Sequence, residues 1–165
     1  MKKKPKILIV RSRYNNTTEL YESAYNELDK RKIKNVESKF VNGAFEIPVA
    51  IARNINKFDA FIAIGIIIKG ETPNFNLISQ AITNGIMQLS ILHKKPIGNA
   101  ILTCLNFEQA EERGQKGKEA VEAVLDVLNI DANRKLTKKR VKEFNDFIKG
   151  DDPEKIIKMV RKAKK

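Results

Sequence analysis

Nine consecutive residues, Ala60 to Ile68 (AFIAIGIII), carry no polar side chain, and five of them are isoleucine. A strand with one wet face alternates polar with apolar residues, so an unbroken β-branched run belongs to a strand covered on both sides. Such a strand needs helices above and below its sheet, and the rest of the chain supplies them in order. KILIVRS is a second buried-strand candidate, followed by Leu20, Ala24 and Leu28 at helical spacing with Tyr21 and Tyr25 beside them. VESKFV comes next, and then Ile47, Ala50, Ile51 and Ile55 recur as on a helix face. After the isoleucine run, FNLISQAITNGIMQLSIL reads as a long helix and PIGNAILTC as a strand, and FEQAEER through KEAVEAVLDVLNI is helical again. The alternation predicts an α/β fold: a three-layer αβα sandwich on a four-stranded, mainly parallel sheet.

With 165 residues and 42% hydrophobic composition, the chain suits one domain with a real core. Cys104 is the single cysteine, which excludes a disulfide framework or a thiolate metal cluster and fits a reducing compartment. No apolar run approaches the about 18 residues of a membrane span, and the apolar stretch after the basic start MKKKPK is too short for a secretion signal. A cytoplasmic protein with no membrane partner is expected. The net charge of +12 is uneven: residues 134–165 hold thirteen Lys/Arg against five Asp/Glu, and Lys2, Lys3 and Lys4 add to it. The body between is close to neutral, so it is not built as a polyanion-binding face and nucleic acid is not its expected partner.

In a parallel sheet, ligands collect outside the carboxyl ends of the strands. Each expected strand here ends in a polar turn: SRYNN, NGAFE, KGETPN and TCLN. In the third, Thr72 suits an N-cap and Pro73 a first helical position, so the N–H groups after Gly70 would face outward where an anion is welcome, with Lys69 adding positive charge. The same residues also describe nothing more than a well-capped helix. Tyr14 offers a flat ring for stacking or for packing. Phe45 and Glu46 pair an aromatic surface with an acceptor, or simply begin a helix. Arg113, Lys116 and Lys118 surround two glycines in ERGQKGKEA, as a phosphate grip or as a solvated turn.

Taken as an ordered series, ILIVRSRYN, VNGAFEIPVA, DAFIAIGIIIKGETPNF, ILT with EQAEER, and KG opening the last helix resemble the lumazine synthase family of riboflavin biosynthesis, over about residues 6 to 133. The resemblance implies a flavodoxin-like fold. It implies a transferase that condenses 5-amino-6-(D-ribitylamino)uracil with 3,4-dihydroxy-2-butanone 4-phosphate to 6,7-dimethyl-8-ribityllumazine, releasing phosphate and water. Neither a metal nor an organic cofactor is needed, and the assembly implied is a homo-oligomer, a pentamer. By motif, Tyr14 stacks on the pyrimidine with Asn15 beside it. Ala44, Phe45 and Glu46 line the ribityl side, and Ile66, Ile67 and Ile68 lie along the ring's edge. Gly70, Glu71 and Thr72 meet the phosphate, and Arg113 and Lys116 approach it from a neighbouring subunit.

The departures from the family pattern are specific. Asn74 stands where the family turn presents a proton-transferring histidine, and a neutral amide is no general acid or base. In its place Asn74 is expected to orient a water or hydroxyl, with solvent or Glu71 moving protons. Asn99 occupies a position that is often aromatic on the neighbour's side of the pocket, and the loop between Arg113 and Lys116 is shorter than the family's. The single histidine, His93, falls at the far end of the helix. Beyond a lumazine synthase domain at 1–133, residues 134–165 form a basic helical C-terminal extension. In it Val141, Phe144, Phe147 and Ile148 share a face, and Asp152 and Pro153 open a second helix. Two other functions are compatible with these features: a weakened lumazine- or flavin-binding homologue, and a basic RNA-interacting protein on the same scaffold.

Overall fold

The isoleucine run forms a central strand. The computed structural model describes residues 4–130, and in it this strand, β3 (Ala60–Ile68), is buried from Ala60 through Ile66. The other elements are β1 (Ile7–Ser12), α1 (Thr18–Lys30), β2 (Val36–Val41), a 3-10 turn (Ala44–Glu46), α2 (Ile47–Asn54), α3 (Asn74–His93), β4 (Ile97–Cys104), α4 (Phe107–Glu111) and α5 (Lys116–Ile130). All three strand pairings are parallel, in the order β2-β1-β3-β4. The chain divides between Val127 and Leu128, and the fold and site described here belong to the first unit. The expected basic helical extension at 134–165 lies outside the described residues.

Period-two alternation assigns the core to two layers. On one face Leu8, Val10, Phe61 and Ala63 cluster with Ile47, Ile51 and Ile55, carried by α2 and the turn after it, and with Ile82 and Ile86 of α3. Ile7 and Ile9 alternate to the opposite face, where the buried side chains of α1 (Leu20, Ala24, Leu28) and α5 (Ala120, Val121, Val124) supply the cover. Burying each such aliphatic side chain stabilises the fold by about 1.5–3 kcal/mol. The second layer depends on two glycines. A Cβ on Gly98 of β4 would lie 2.4 Å from the Ala120 carbonyl oxygen, and one on Gly117 would lie 1.9 Å from that of Leu20. Only glycine lets α5 approach β4 and α1 this closely.

The edge strands differ from the centre. β2 exposes Glu37 through Phe40, and Lys6 pairs with Glu37 at 2.7 Å. Among the described residues no helix is long and apolar enough to cross a membrane.

The strand order reverses between β1 and β3, since β1 connects outward to β2 while β3 connects outward to β4. The β1–β3 ladder stops at Arg11 opposite Ile64, whereas β3 stays paired with β4 as far as Ile68 opposite Cys104. Gly65–Ile68 therefore runs on with β4 on one side and no strand on the other. A crevice opens there, at the position where doubly wound sheets bind ligands.

Candidate active site

That crevice is a cleft of about 530 Å³. Its first wall comes from the loop after β1. Tyr14 donates its backbone N–H to the Asn42 carbonyl at 3.0 Å, which fixes its main chain, while its ring is 85% exposed. Just before it, Arg11 lies between two rings, its guanidinium carbon 4.4 Å from the Tyr21 centroid and 4.7 Å from that of Phe40. Burial lowers the Arg11 pKa from its ordinary value, against the pull of Tyr21 and Glu22. Asn15 turns inward and donates its side-chain N–H to the Ile66 carbonyl at 2.8 Å.

The second wall is the 3-10 turn. Ala44, Phe45 and Glu46 all line the cleft. The Glu46 carboxylate accepts the Gly43 backbone N–H at 2.7 Å, so this side chain caps its own turn while facing the cavity. Phe45 is 59% exposed. Tyr14 and Phe45 share the lining with the aliphatic side of β3's end, Ile66, Ile67 and Ile68.

The turn after β3 closes the remaining side through Lys69, Gly70, Thr72 and Asn74. Its helix begins later than the sequence suggests. Pro73 (φ −66°, ψ −3°) is the N-cap of α3, its carbonyl accepting from Asn76 at 3.2 Å and Leu77 at 3.5 Å, and no side chain caps the end. Thr72 is therefore not the N-cap, because the first carbonyl of the ladder is proline's own. Gly70 adopts no positive φ, and a Cβ there would meet nothing within 4 Å. The backbone does not require glycine at 70; its small size leaves the cleft open.

Four of the expected site residues do not line this cleft. Glu71 is exposed beside it. Asn99 is exposed on β4, where its side-chain oxygen accepts the Ile101 N–H at 3.0 Å. Arg113 donates to the Gln109 carbonyl at 2.5 Å and lies 3.7 Å from Glu112, and Lys116 pairs with Glu119. His93 ends α3, roughly 28 Å from Asn74 by helical rise. Several lining residues were not among those expected to bind. Phe75 and Ile78 follow Asn74 on the inner side of α3, and Phe107 stands at the start of α4 just past β4. Helical spacing from Asn74 signals Ile78. Phe107 carries only the general cue of an aromatic just past a strand end.

An arrangement of this kind suits a flat heterocycle: rings to stack on, an apolar floor, and amide and carboxylate groups at the rim. Tyr14, Glu46 and Lys69 are the titratable side chains that line it.

Comparison with known proteins gives one family. Residues 4–132 match the model of 6,7-dimethyl-8-ribityllumazine synthase. The chain is 37% identical over 141 residues to the 6,7-dimethyl-8-ribityllumazine synthase of Campylobacter curvus (strain 525.92), covering 79% of this chain and 90% of that protein. It is 38% identical over 136 residues to the protein of the same name from Campylobacter jejuni subsp. jejuni serotype O:23/36 (strain 81-176), covering 76% and 88%. Against the Campylobacter hominis protein of that name the identity is 37% over 143 residues, covering 80% and 92%.

Proposed function

Since the chain belongs to the 6,7-dimethyl-8-ribityllumazine synthase family, we infer that it condenses 5-amino-6-(D-ribitylamino)uracil with 3,4-dihydroxy-2-butanone 4-phosphate, releasing phosphate and water. The observation that carries this to the present chain is the cleft at the β1/β3 reversal, with Tyr14 and Phe45 facing Ile66–Ile68 and the GET turn beside them.

The chemistry asks more for placement than for strong acids or bases. The uracil's amine is already a nucleophile toward the ketone. Loss of water gives an imine, loss of phosphate gives an enol that tautomerises to a ketone, and attack of the second amine on that ketone with loss of another water closes the ring. Holding two reactants in line is worth effective molarities of about 10⁵–10⁸ M, whereas a positioned general acid or base contributes about 10²–10⁴-fold. Tyr14 stacks on the pyrimidine, Asn15 holds the loop that carries it, and Ala44, Phe45 and Glu46 receive the ribityl chain. Asn74 orients a water or hydroxyl, with solvent or Glu71 moving protons, so turnover is slower than a histidine there would allow.

The reading extends to assembly. Asn99, Arg113 and Lys116 lie outside the cleft of their own chain, so any part they take in the site is played from a second copy, and a closed ring of five supplies every cleft with one. Such a protein works in the cytoplasm, with residues 1–133 as the catalytic domain. A lumazine- or flavin-binding homologue without turnover is not favoured, because the similar proteins carry the synthase name. Incubating the full chain with both substrates and following lumazine absorbance tests the reading, and absence of product overturns it.

A further inference from the structure

With its ring 85% exposed, Tyr14 takes its direction from the loop that carries it, residues 13–17 between β1 and α1. The far end of that loop is Thr17, a buried residue at the N-cap of α1. A threonine at this position ordinarily accepts a backbone N–H from the first helical turn. This one makes no such cap: its hydroxyl donates back across the loop to the Ser12 carbonyl at 3.2 Å and accepts the Arg11 Nε–H at 3.3 Å. The Thr18 N–H goes instead to the Asn16 side-chain oxygen at 3.1 Å. A hydroxyl that gives up the helix end for the base of the loop secures the loop.

Arg11 is itself gripped by two rings. Its guanidinium carbon lies 4.4 Å from the centroid of Tyr21, in the first turn of α1, and 4.7 Å from that of Phe40, near the end of β2. The Phe40 ring also takes the Arg13 guanidinium at 4.8 Å. The two residues after it hold the loop's main chain, Val41 accepting the Arg13 N–H and Asn42 the Tyr14 N–H, both at 3.0 Å. One side chain thus joins β1, the end of β2 and the start of α1, the three elements from which the loop hangs. Neither Arg11 nor Thr17 lines the cleft. A planar guanidinium stacked on two rings, with its Nε–H committed to a hydroxyl, is held in one orientation.

We propose that Arg11 is a positioning residue for the heterocycle: through the Thr17 hydroxyl it fixes the spacing between the two ends of the loop, and with it the place of the Tyr14 ring in the cleft. The proposal rests on the synthase reading and adds to it a residue that acts without touching substrate.

Fluorescence titration of the full-length protein with lumazine tests it without relying on turnover. Arg11→Met, and Thr17→Val, which only exchanges the hydroxyl for a methyl, should each weaken lumazine binding by about threefold to tenfold, the range that a stacked ring contributes. Because both act through one hydrogen bond, the double variant should bind no more weakly than the weaker single one. In a Tyr14→Ala background either change should cost less than about twofold, since its effect passes through the missing ring. In steady-state kinetics KM should rise for the ribitylaminouracil and stay within about twofold for the butanone phosphate, which does not stack on Tyr14. Arg11→Lys keeps the charge but loses the plane and the Nε–H, and should not restore affinity. Wild-type affinity in variants that melt as folded proteins, an equal loss with and without Tyr14, or full affinity in Arg11→Lys each overturns the proposal and leaves the synthase reading intact. A wild type that neither binds lumazine nor forms it overturns both.

Discussion

The side-chain amide of Asn15 donates to the carbonyl of Ile66 at 2.8 Å, joining the loop after β1 to β3 at the point where β1 has stopped supplying a partner. The bond spans the crevice that forms the cleft, and the residue before it carries the exposed ring of Tyr14. Asn15→Ala should cost about 0.5–1.5 kcal/mol of stability, the usual net value of one hydrogen bond. It should reduce kcat/KM by about tenfold to a hundredfold through misplacement of Tyr14. Asn15→Asp, which cannot donate, should behave no better. Urea denaturation and kinetics on the same preparations check both effects, and a variant with unchanged activity would show that the loop holds itself.

If Tyr14 stacks on the pyrimidine, Tyr14→Ala should weaken lumazine binding by about 0.5–1.5 kcal/mol beyond the lost contact area. Fluorescence titration of lumazine measures this directly, and unchanged affinity would remove Tyr14 from the site.

Arg113→Ala should raise KM for the butanone phosphate if a neighbouring copy presents that side chain. Because the two residues would then lie in one site but on different chains, mixing Tyr14→Ala and Arg113→Ala proteins under subunit exchange should recover activity that neither has alone. Light scattering should show an oligomer, with a pentamer expected. A fully active monomer, or no recovery on mixing, would contradict a shared site.

Glu27 is buried in α1 and accepts the Arg31 side chain at 2.7 Å. That hydrogen bond, aided by the charges of Arg31, Lys30 and Lys118 and opposed by desolvation, holds its carboxyl below the ordinary range. A carboxylate depressed in the folded state stabilises at pH values above its unfolded pKa and loses that contribution as pH falls through the folded value. Glu27→Gln should therefore lower the melting temperature at pH 7 more than at acid pH. Thermal melts across pH would show it, and parallel curves for wild type and variant would contradict it.

How far the sequence reveals this molecule varies by element. The isoleucine run could be read because a strand buried on both faces tolerates no polar residue, and the run then required the helices around it. Tyr14, Phe45, Gly70 and Thr72 could be marked as neighbours because strand ends in a parallel sheet converge on one rim, and all four line the one cleft. The start of α3 was displaced by one position, since Pro73 has the same φ as an N-cap or a first helical residue and only its carbonyl bonds distinguish them. The directions of Arg113 and Lys116 were not readable at all: they depend on how a short turn sits on α1, where the Ser23 hydroxyl donates to the Gly114 carbonyl at 2.7 Å. Phe107 lay within a stretch that otherwise signals only a helix start.

The central claim is that this cleft makes lumazine without a histidine at position 74. The most direct measurement follows lumazine and phosphate together, from both substrates, for the wild type and Asn74→His beside an enzyme-free control. The expected result is one phosphate released per lumazine, wild-type turnover well above the control, and a several-fold higher turnover number in Asn74→His with substrate affinity little changed. Wild-type formation of lumazine no faster than in the control would contradict the claim.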